Sequence, residues 1–154
     1  MTFRILFIAI IFMISLIPLT SCTATGPKFA LAPPPRNVGD VLVYIYRTPQ
    51  RFGGGSLNRI PIFIDDVKLA SLYSEGYTWV HIPPGKHIVS IKWISERNAV
   101  WEFSPNRTHY LKLTVTAEGN SYGYSFEPVS ADIGSSEIRE YRYEPALGSV
   151  NAKP

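Results

Sequence analysis

From residue 41 onward, hydrophobic and polar residues alternate in short runs that are separated by turn signals. The first run is apolar on both faces, as in a central strand, and seven further runs place hydrophobic residues at every second position. Alternating runs at this spacing predict an all-β antiparallel sandwich of seven to eight short strands. The predicted strands are residues 41–46, 60–64, 68–72, 77–82, 87–93, 97–103, 109–116 and 122–126.

The turn signals between these runs are specific enough to predict local geometry. Pro84 presets φ for the second position of a turn, and Gly85 accepts a positive φ at the third, which predicts a type II turn. A two-residue turn there would pair residues 77–82 with 87–93 as a hairpin and set Ile82 opposite His87. Turns are also predicted at Asp65-Asp66, at Glu75-Gly76, at Pro105-Asn106 and at residues 118–120.

The C-terminal part of the chain differs from the strands before it. Ser135 or Ser136 is a suitable N-cap for one short helix over residues 137–143. Residues 144–154 carry no periodic pattern and are predicted to form a flexible tail. The folded β-sandwich domain is therefore expected to span residues 41–143.

The first 21 residues have the organisation of a secretory signal peptide. Arg4 supplies a positive charge, an apolar run follows from residue 5, and small residues precede position 22. The apolar run is shorter than the roughly 20 residues that a membrane-spanning helix needs. An uncleaved signal anchor remains the alternative.

Leu19, Thr20, Ser21 and Cys22 resemble the lipobox of bacterial lipoproteins. The resemblance implies that a peptidase recognises the first three residues and cuts before Cys22. It also implies that the Cys22 thiol carries diacylglycerol and that the new amino group is acylated, with palmitate as the expected group. Thr23 follows the cysteine instead of Asp, which implies outer-membrane delivery facing the periplasm, while inner-membrane retention stays open.

Residues 22–40 read as a proline-rich linker behind this cysteine. Pro27 and the three prolines at 33–35 favour a polyproline II conformation, which would reach on the order of 50 Å when extended. A mobile tether is expected. The alternative is that the segment packs along the domain through Phe29 and Leu31.

Composition and charge limit the classes of function. The chain has 154 residues, enough for one domain, and it is 45% hydrophobic and 18% charged, as a globular protein is. The net charge of +3 comes from scattered basic residues rather than from a dense stripe, so no nucleic-acid partner is expected. One cysteine excludes an internal disulfide bond.

The sequence contains no recognisable catalytic constellation, so the protein is expected not to be an enzyme and to use no cofactor. The sequence has no G-x-S-x-G and no H-E-x-x-H motif, and the glycine-rich residues 53–56 lack the lysine of a phosphate-binding loop. Three histidines are enough to raise a metal site, but the hairpin register places two of them on opposite faces. No metal site is therefore expected at His81, His87 and His109.

Aromatic side chains are numerous for one small domain, at 13% of the chain. They stabilise cores, but exposed aromatics form binding surfaces for proteins or sugars. Tyr77, Trp79 and Arg47 are the candidates for such a binding surface, with packing of the aromatic set into the core as the alternative.

Four segments in a fixed order carry a further resemblance: VYIYR at 43–47, IFIDD at 62–66, PGKH at 84–87 and YL at 110–111. They resemble a family of small bacterial lipoproteins known only as a domain of unknown function, and the PPGKH turn is similar to that of prealbumin-like and carboxypeptidase-regulatory-like β-sandwiches. The resemblance implies a fold and an envelope location, and no reaction. The expected function is non-catalytic binding of another envelope protein. Acylated Cys22 is expected to attach the chain to membrane lipid. The alternatives are glycan or peptidoglycan binding and, with less support, a metal-dependent enzyme.

Overall fold

All eight alternating runs form strands in the computed structural model of the chain. The structure describes residues 24–35, 37–50, 58–93, 96–118 and 121–147. The signal peptide, Cys22 and the glycine-rich residues 53–56 lie outside the described residues. No helix within the described ranges is long and apolar enough to cross a membrane.

The described part of the chain forms two sheets, one short α-helix and one 3₁₀ turn, which confirms the all-β sandwich with a C-terminal helix. The strands have nearly the predicted bounds. They are β1 (Val41–Arg47), β2 (Ile60–Ile64), β3 (Val67–Leu72), β4 (Gly76–Ile82), β5 (Gly85–Lys92), β6 (Glu96–Phe103), β7 (Thr108–Glu118) and β8 (Ser121–Val129), followed by α1 (Ala131–Glu137), the 3₁₀ turn (Ile138–Glu140) and β9 (Arg142–Tyr143).

The strands are divided between a five-stranded sheet 1, in the order β8-β7-β1-β4-β9, and a four-stranded sheet 2, in the order β3-β2-β5-β6. Sheet 1 is mixed, because β1 runs parallel to β7 and β4 runs parallel to β9. The other neighbouring strands are antiparallel, as predicted, so these two parallel pairs are the departures from the predicted antiparallel sandwich. The chain passes through sheet 2 between β1 and β7, and so long a connection permits parallel neighbours.

The predicted hairpin at Pro84-Gly85 is wrong. Strand β4 pairs with β1 in sheet 1, whereas β5 pairs with β2 and β6 in sheet 2. Gly85 does take a positive φ of 130°, as the Pro-Pro-Gly pattern predicts. However, prolines have no N–H group to continue a ladder, and Pro83 and Pro84 carry the chain from one sheet to the other.

The other turn signals are correct wherever the structure describes them. Asp65 and Asp66 both take a positive φ, of 48° and 65°, and close a two-residue hairpin between β2 and β3. Such paired positive φ values are typical of the tight turns that match strand twist. Glu75 and Asn106 also take positive φ values, of 60° and 58°.

The main core lies between the two sheets and uses the side chains that alternation assigned to one face. The apolar residues of β1 and β4 face those of β2, β3 and β5, and the inner residues of β7 extend the core. Its largest fully buried aliphatic residues are Ile45, Ile60, Ile62, Leu69, Leu72, Ile91, Leu111 and Leu113.

A second core covers the outer face of sheet 1. It consists mainly of tyrosines from β1, β4 and β7, with Tyr44 stacked on Tyr110 at a ring-centroid distance of 5.2 Å. Phe29 and Ala32 cover it on one side, and the C-terminal helical region covers it on the other. Its buried members are Tyr44, Tyr46, Tyr77, Tyr110, Ile138 and Tyr141.

The helix begins earlier than predicted. Ser130 is the N-cap, and its side chain accepts a hydrogen bond from the Ile133 N–H, so Ser135 and Ser136 lie inside the helix. Gly134 allows the helix to dock, because a Cβ at this position would lie 2.3 Å from the Tyr110 ring. The sequence alone favoured a later start because Ser135 and Ser136 are also suitable N-cap residues.

Candidate functional site

Arg47 is fully buried at the end of β1, with 0% of its surface exposed. Its inward position continues the alternation of Val43 and Ile45, and burial lowers the pKa of the guanidinium to about 10. Nη1 donates to the carbonyl oxygens of Asn58 at 2.6 Å and Leu72 at 3.1 Å. Arg47 therefore ties the entrance of β2 to the end of β3.

Tyr77 is buried as well, with 1% of its surface exposed, and it belongs to the second core. Its hydroxyl accepts a hydrogen bond from the Ala30 N–H at 3.0 Å, and its ring contacts Phe29 and Tyr143. Burial raises the pKa of this phenol.

Trp79 is half-buried on the same outer face of sheet 1. It stacks on Tyr143 at 6.2 Å and meets the His81 ring edge-on at 5.4 Å. The expectation of a shared surface of Arg47, Tyr77 and Trp79 is therefore wrong, since Arg47 and Tyr77 are interior and point to opposite faces of sheet 1. Alternation within one strand could not relate Arg47 of β1 to Tyr77 of β4, because their relative faces follow from the β1–β4 register.

The residues that cover Tyr77 belong to the linker. Ala24 is buried, Tyr143 donates its N–H to the Pro27 carbonyl at 2.9 Å, and Ala32 donates its N–H to the Tyr44 hydroxyl at 3.0 Å. The prediction of a mobile tether is wrong for these residues, which pack along the domain through Phe29 while Leu31 is exposed. A lone aromatic residue within the linker was the sequence signal for this packing.

The first part of the predicted flexible tail is packed too. Glu144 is buried, with its N–H donating to the Tyr77 carbonyl at 2.8 Å, and Leu147 donates its N–H to the Leu69 carbonyl at 2.6 Å. Residues 148–154 lie outside the described range. The C-terminal segment thus bridges β4 of sheet 1 and β3 of sheet 2.

Glu144 makes stability depend on pH. Burial raises its pKa above the ordinary value of 4.5, and Arg59, whose Nη2 lies 3.5 Å from Oε2, opposes the shift. A carboxyl with a raised pKa favours the folded state when protonated, and that contribution is lost as the pH rises through the folded-state pKa. We therefore expect Glu144→Gln to gain stability relative to the unchanged chain as the pH rises from about 4 to 7.

Urea unfolding at several pH values measures this difference. Glu140→Gln, at an exposed glutamate in the 3₁₀ turn, is the matched control for the loss of one carboxylate. A pH-independent difference for Glu144→Gln would contradict the effect of burial.

His87 and His109 both contact the Phe103 ring, but each of the three histidines has different polar partners. His87 Nδ1 contacts the Asp65 carboxylate and Nε2 contacts the Pro83 carbonyl at 2.9 Å, so His87 links the β2–β3 turn to the crossover between sheets. His81 lies on the outer face of sheet 1, and burial lowers its pKa. His109 contacts the Ser104 carbonyl. Across the described ranges, no three His, Cys, Asp or Glu residues lie together as metal ligands.

The Asp65 carboxylate is the partner of His87 in the contact between the β2–β3 turn and the crossover. Burial disfavours its charged form, but the hydrogen bonds from the Ile88 N–H and from His87 outweigh burial and lower the pKa of Asp65. Asp66 instead accepts from Lys92 at 2.6 Å, so the two carboxylates are held by different partners. Together these contacts hold the β2–β3 hairpin against strand β5.

The outer face of sheet 2 carries an exposed apolar pair next to an edge strand. Val100 of β6 is 67% exposed, and its cross-strand partner Ile88 of β5 is 44% exposed. Strand β6 pairs with β5 through eight residue pairs without a register shift, and no described strand pairs with its other edge. An uninterrupted edge strand presents backbone hydrogen-bonding groups to another chain.

The other sheet edges have features that obstruct pairing. Strand β3 has a register shift against β2 and bonds to Leu147, while β8 contains Pro128, which has no N–H to donate. Strand β9 has two residues and is bridged by Lys28. The β6 edge was missed in the sequence, although Val100 is an apolar residue on an otherwise polar face between Asn98 and Glu102.

A comparison of the chain with protein-family models, curated proteins and solved structures found no significant match.

Proposed function

We propose that this chain is a lipid-anchored, non-catalytic protein of the bacterial cell envelope that binds another envelope protein through strand β6. Acylated Cys22 holds it to membrane lipid, with the periplasmic face of the outer membrane as the favoured location. The observation that carries the protein-binding role is the unobstructed edge of β6 beside exposed Val100 and Ile88.

Strand addition accounts for both affinity and specificity at such an edge. A partner strand would form main-chain hydrogen bonds with β6, while the exposed side chains select the partner. Ala99, Val100 and Trp101 form an uncharged centre, and Glu96, Arg97 and Glu102 place charges towards the ends of the strand. An apolar centre with a polar rim is the usual composition of a protein interface.

The glycan-binding alternative has less structural support. Of the three side chains first considered for a ligand, Arg47 and Tyr77 are in the interior. Trp79 is half-buried, with one ring face stacked on Tyr143.

A photocrosslinking residue at position 100 tests the proposal in cells, with the full chain on its own anchor. We expect one reproducible envelope protein to be captured from position 100. Ser125, exposed on the edge strand β8 of sheet 1, is the matched control and should capture little. Mass spectrometry identifies the partner, and Cys22→Ser, which removes the acylated thiol, should abolish capture.

Val100→Lys provides the corresponding loss of function. With the crosslinker moved to Asn98 on the same outer face of β6, the lysine should reduce capture several-fold, because it places a charge at the centre of the interface. Its effect on folding should be small, since position 100 is exposed. Equal capture from positions 100 and 125, or unchanged capture with Val100→Lys, would remove β6 as the binding edge.

A further inference from the structure

The packed linker brings the residues that follow Cys22 against one end of the domain. We propose that the membrane-facing surface is the end formed by Ser74, Glu75 and Arg142, and that residues 24–32 hold this end against the lipid. The inference rests on the lipid anchoring proposed above. It replaces a long tether, from which the domain could take any orientation, with one defined orientation.

The proposed anchor at Cys22 is close to the domain along the chain. Ala24 is 2% exposed, and its N–H donates to the Ser74 carbonyl at 3.4 Å. Ala24 lies two positions after Cys22 in the sequence, and an extended chain spans at most roughly 3.6 Å per residue. The chain length alone therefore keeps Cys22 within about 7 Å of a buried position.

The linker residues that follow Ala24 are also attached to the domain. Arg142 Nη1 donates to the Gly26 carbonyl at 3.0 Å, and Lys28 forms a β-bridge with Arg142. Phe29 then contacts Tyr44 and Tyr77 at ring-centroid distances of 6.1 and 5.7 Å. The segment is therefore held at each of several successive residues, and it does not supply the reach that its proline content suggested.

The residues grouped around Ala24 form one end of the domain. Arg142 donates its N–H to the Glu75 carbonyl at 2.9 Å, and Gln50 donates its N–H to the Ser74 hydroxyl at 2.9 Å. Arg142 and Lys28 are exposed cations at this end, while Glu75 is a half-buried acid. Exposed basic side chains favour a surface of anionic lipid headgroups.

The opposite end of the sandwich is defined by the sheet register. Tyr46 near the end of β1 pairs with Tyr77, close to the Glu75 turn, whereas Leu42 near its start pairs with Thr108, close to Asn106. A strand rises roughly 3.3 Å per residue, so Asn106 lies on the order of 20 Å farther from the anchor than Glu75. Strand β6, which belongs to sheet 2, runs between these ends and remains accessible from the side.

Fluorescence quenching in vesicles tests this orientation. Glu75→Cys and Asn106→Cys are a matched pair, since both residues take a positive φ in a turn. The full-length protein is purified with its native acylation, labelled at the new thiol and placed in vesicles containing anionic lipid and a headgroup nitroxide. We expect the label at position 75 to be quenched several-fold more than the label at position 106.

A second variant tests whether the attachment of the linker causes this difference. Gly26→Ala would place a Cβ 1.7 Å from the Tyr143 carbonyl oxygen, so the segment must leave the domain, and the difference in quenching should shrink. Thr25→Ala, at an exposed neighbour, should leave the difference unchanged. Phe29→Ala, which removes the ring contacts, replaces Gly26→Ala if circular dichroism shows that Gly26→Ala does not fold.

The two proposals fail in distinguishable ways. Intact mass measured before reconstitution shows whether Cys22 carries acyl groups, and without them the anchoring is wrong and the orientation falls with it. With the acyl groups present, equal quenching at positions 75 and 106 overturns the orientation alone and restores the long tether. An unchanged difference in a folded Gly26→Ala variant would also overturn it, because the packed linker would then not set the orientation.

Discussion

Replacing Arg47 with alanine is expected to lower the free energy of unfolding by roughly 3–5 kcal/mol. The substitution removes the hydrogen bonds that Arg47 donates to the Asn58 and Leu72 carbonyl oxygens, and the loss of the donor to a buried group such as the Leu72 carbonyl costs about 1–3 kcal/mol. The long side chain is fully buried, so its removal also leaves a cavity between the sheets. Urea unfolding of the mature chain carrying Cys22→Ser measures the loss.

Two further variants separate the contributions of Arg47. Arg47→Met retains most of the volume but cannot donate, so it should show the loss of hydrogen bonds with little cavity. Arg139→Ala, at an exposed arginine in the 3₁₀ turn, should change stability by no more than about 0.5 kcal/mol. If Arg47→Ala is as mild as Arg139→Ala, the arginine is not buried and becomes a surface candidate again.

Tyr77→Ala is expected to have an effect of similar size, roughly 3–5 kcal/mol, because it removes a large ring from the centre of the second core. Tyr77→Phe keeps the ring and loses only the hydrogen bonds with Ala30, which are worth about 1 kcal/mol. The comparison thus separates packing of the ring from attachment of the linker. Thermal or urea unfolding of the same mature chain provides the measurement.

The Tyr77 pair also discriminates between a core and a binding role for the tyrosines. A tyrosine on an exposed ligand surface would tolerate alanine with little change in stability and would lose binding instead. A core tyrosine loses stability with alanine and retains most of it with phenylalanine. An unfolding free energy unchanged by Tyr77→Ala would therefore contradict the second core and the packed linker together.

These two residues show why the interior of sheet 1 could be predicted only in part. Alternation along β1 correctly separates Arg47 and Ile45 from Tyr44 and Tyr46, since neighbouring residues of a strand point to opposite faces. An arginine and a row of tyrosines are both commonly found at surfaces, and local pattern gives no reason to bury them. These side chains are buried by residues that are distant in sequence. The Leu72 carbonyl of sheet 2 accepts a hydrogen bond from Arg47, and the linker and the C-terminal segment cover the tyrosines.

The alternation of the chain by itself determined the eight main strands, and the turn residues determined most boundaries. Period-two patterning and residues suited to positive φ are local properties, which is why Asp65-Asp66 and Glu75 were identified correctly. The lipobox resemblance at Cys22 is local as well, and it remains a prediction because that residue lies outside the described range.

Only the tertiary structure decided how these strands are assembled. Whether β5 follows β4 in one hairpin or crosses to the other sheet depends on which partner strands are available, and β1 and β2 lie far from them in sequence. The same holds for the linker, whose attachment depends on Tyr77 and Tyr143. The local pattern of a strand predicts which of its side chains share a face. Contacts between residues distant in sequence decide which strand pairs with it and which segment covers it.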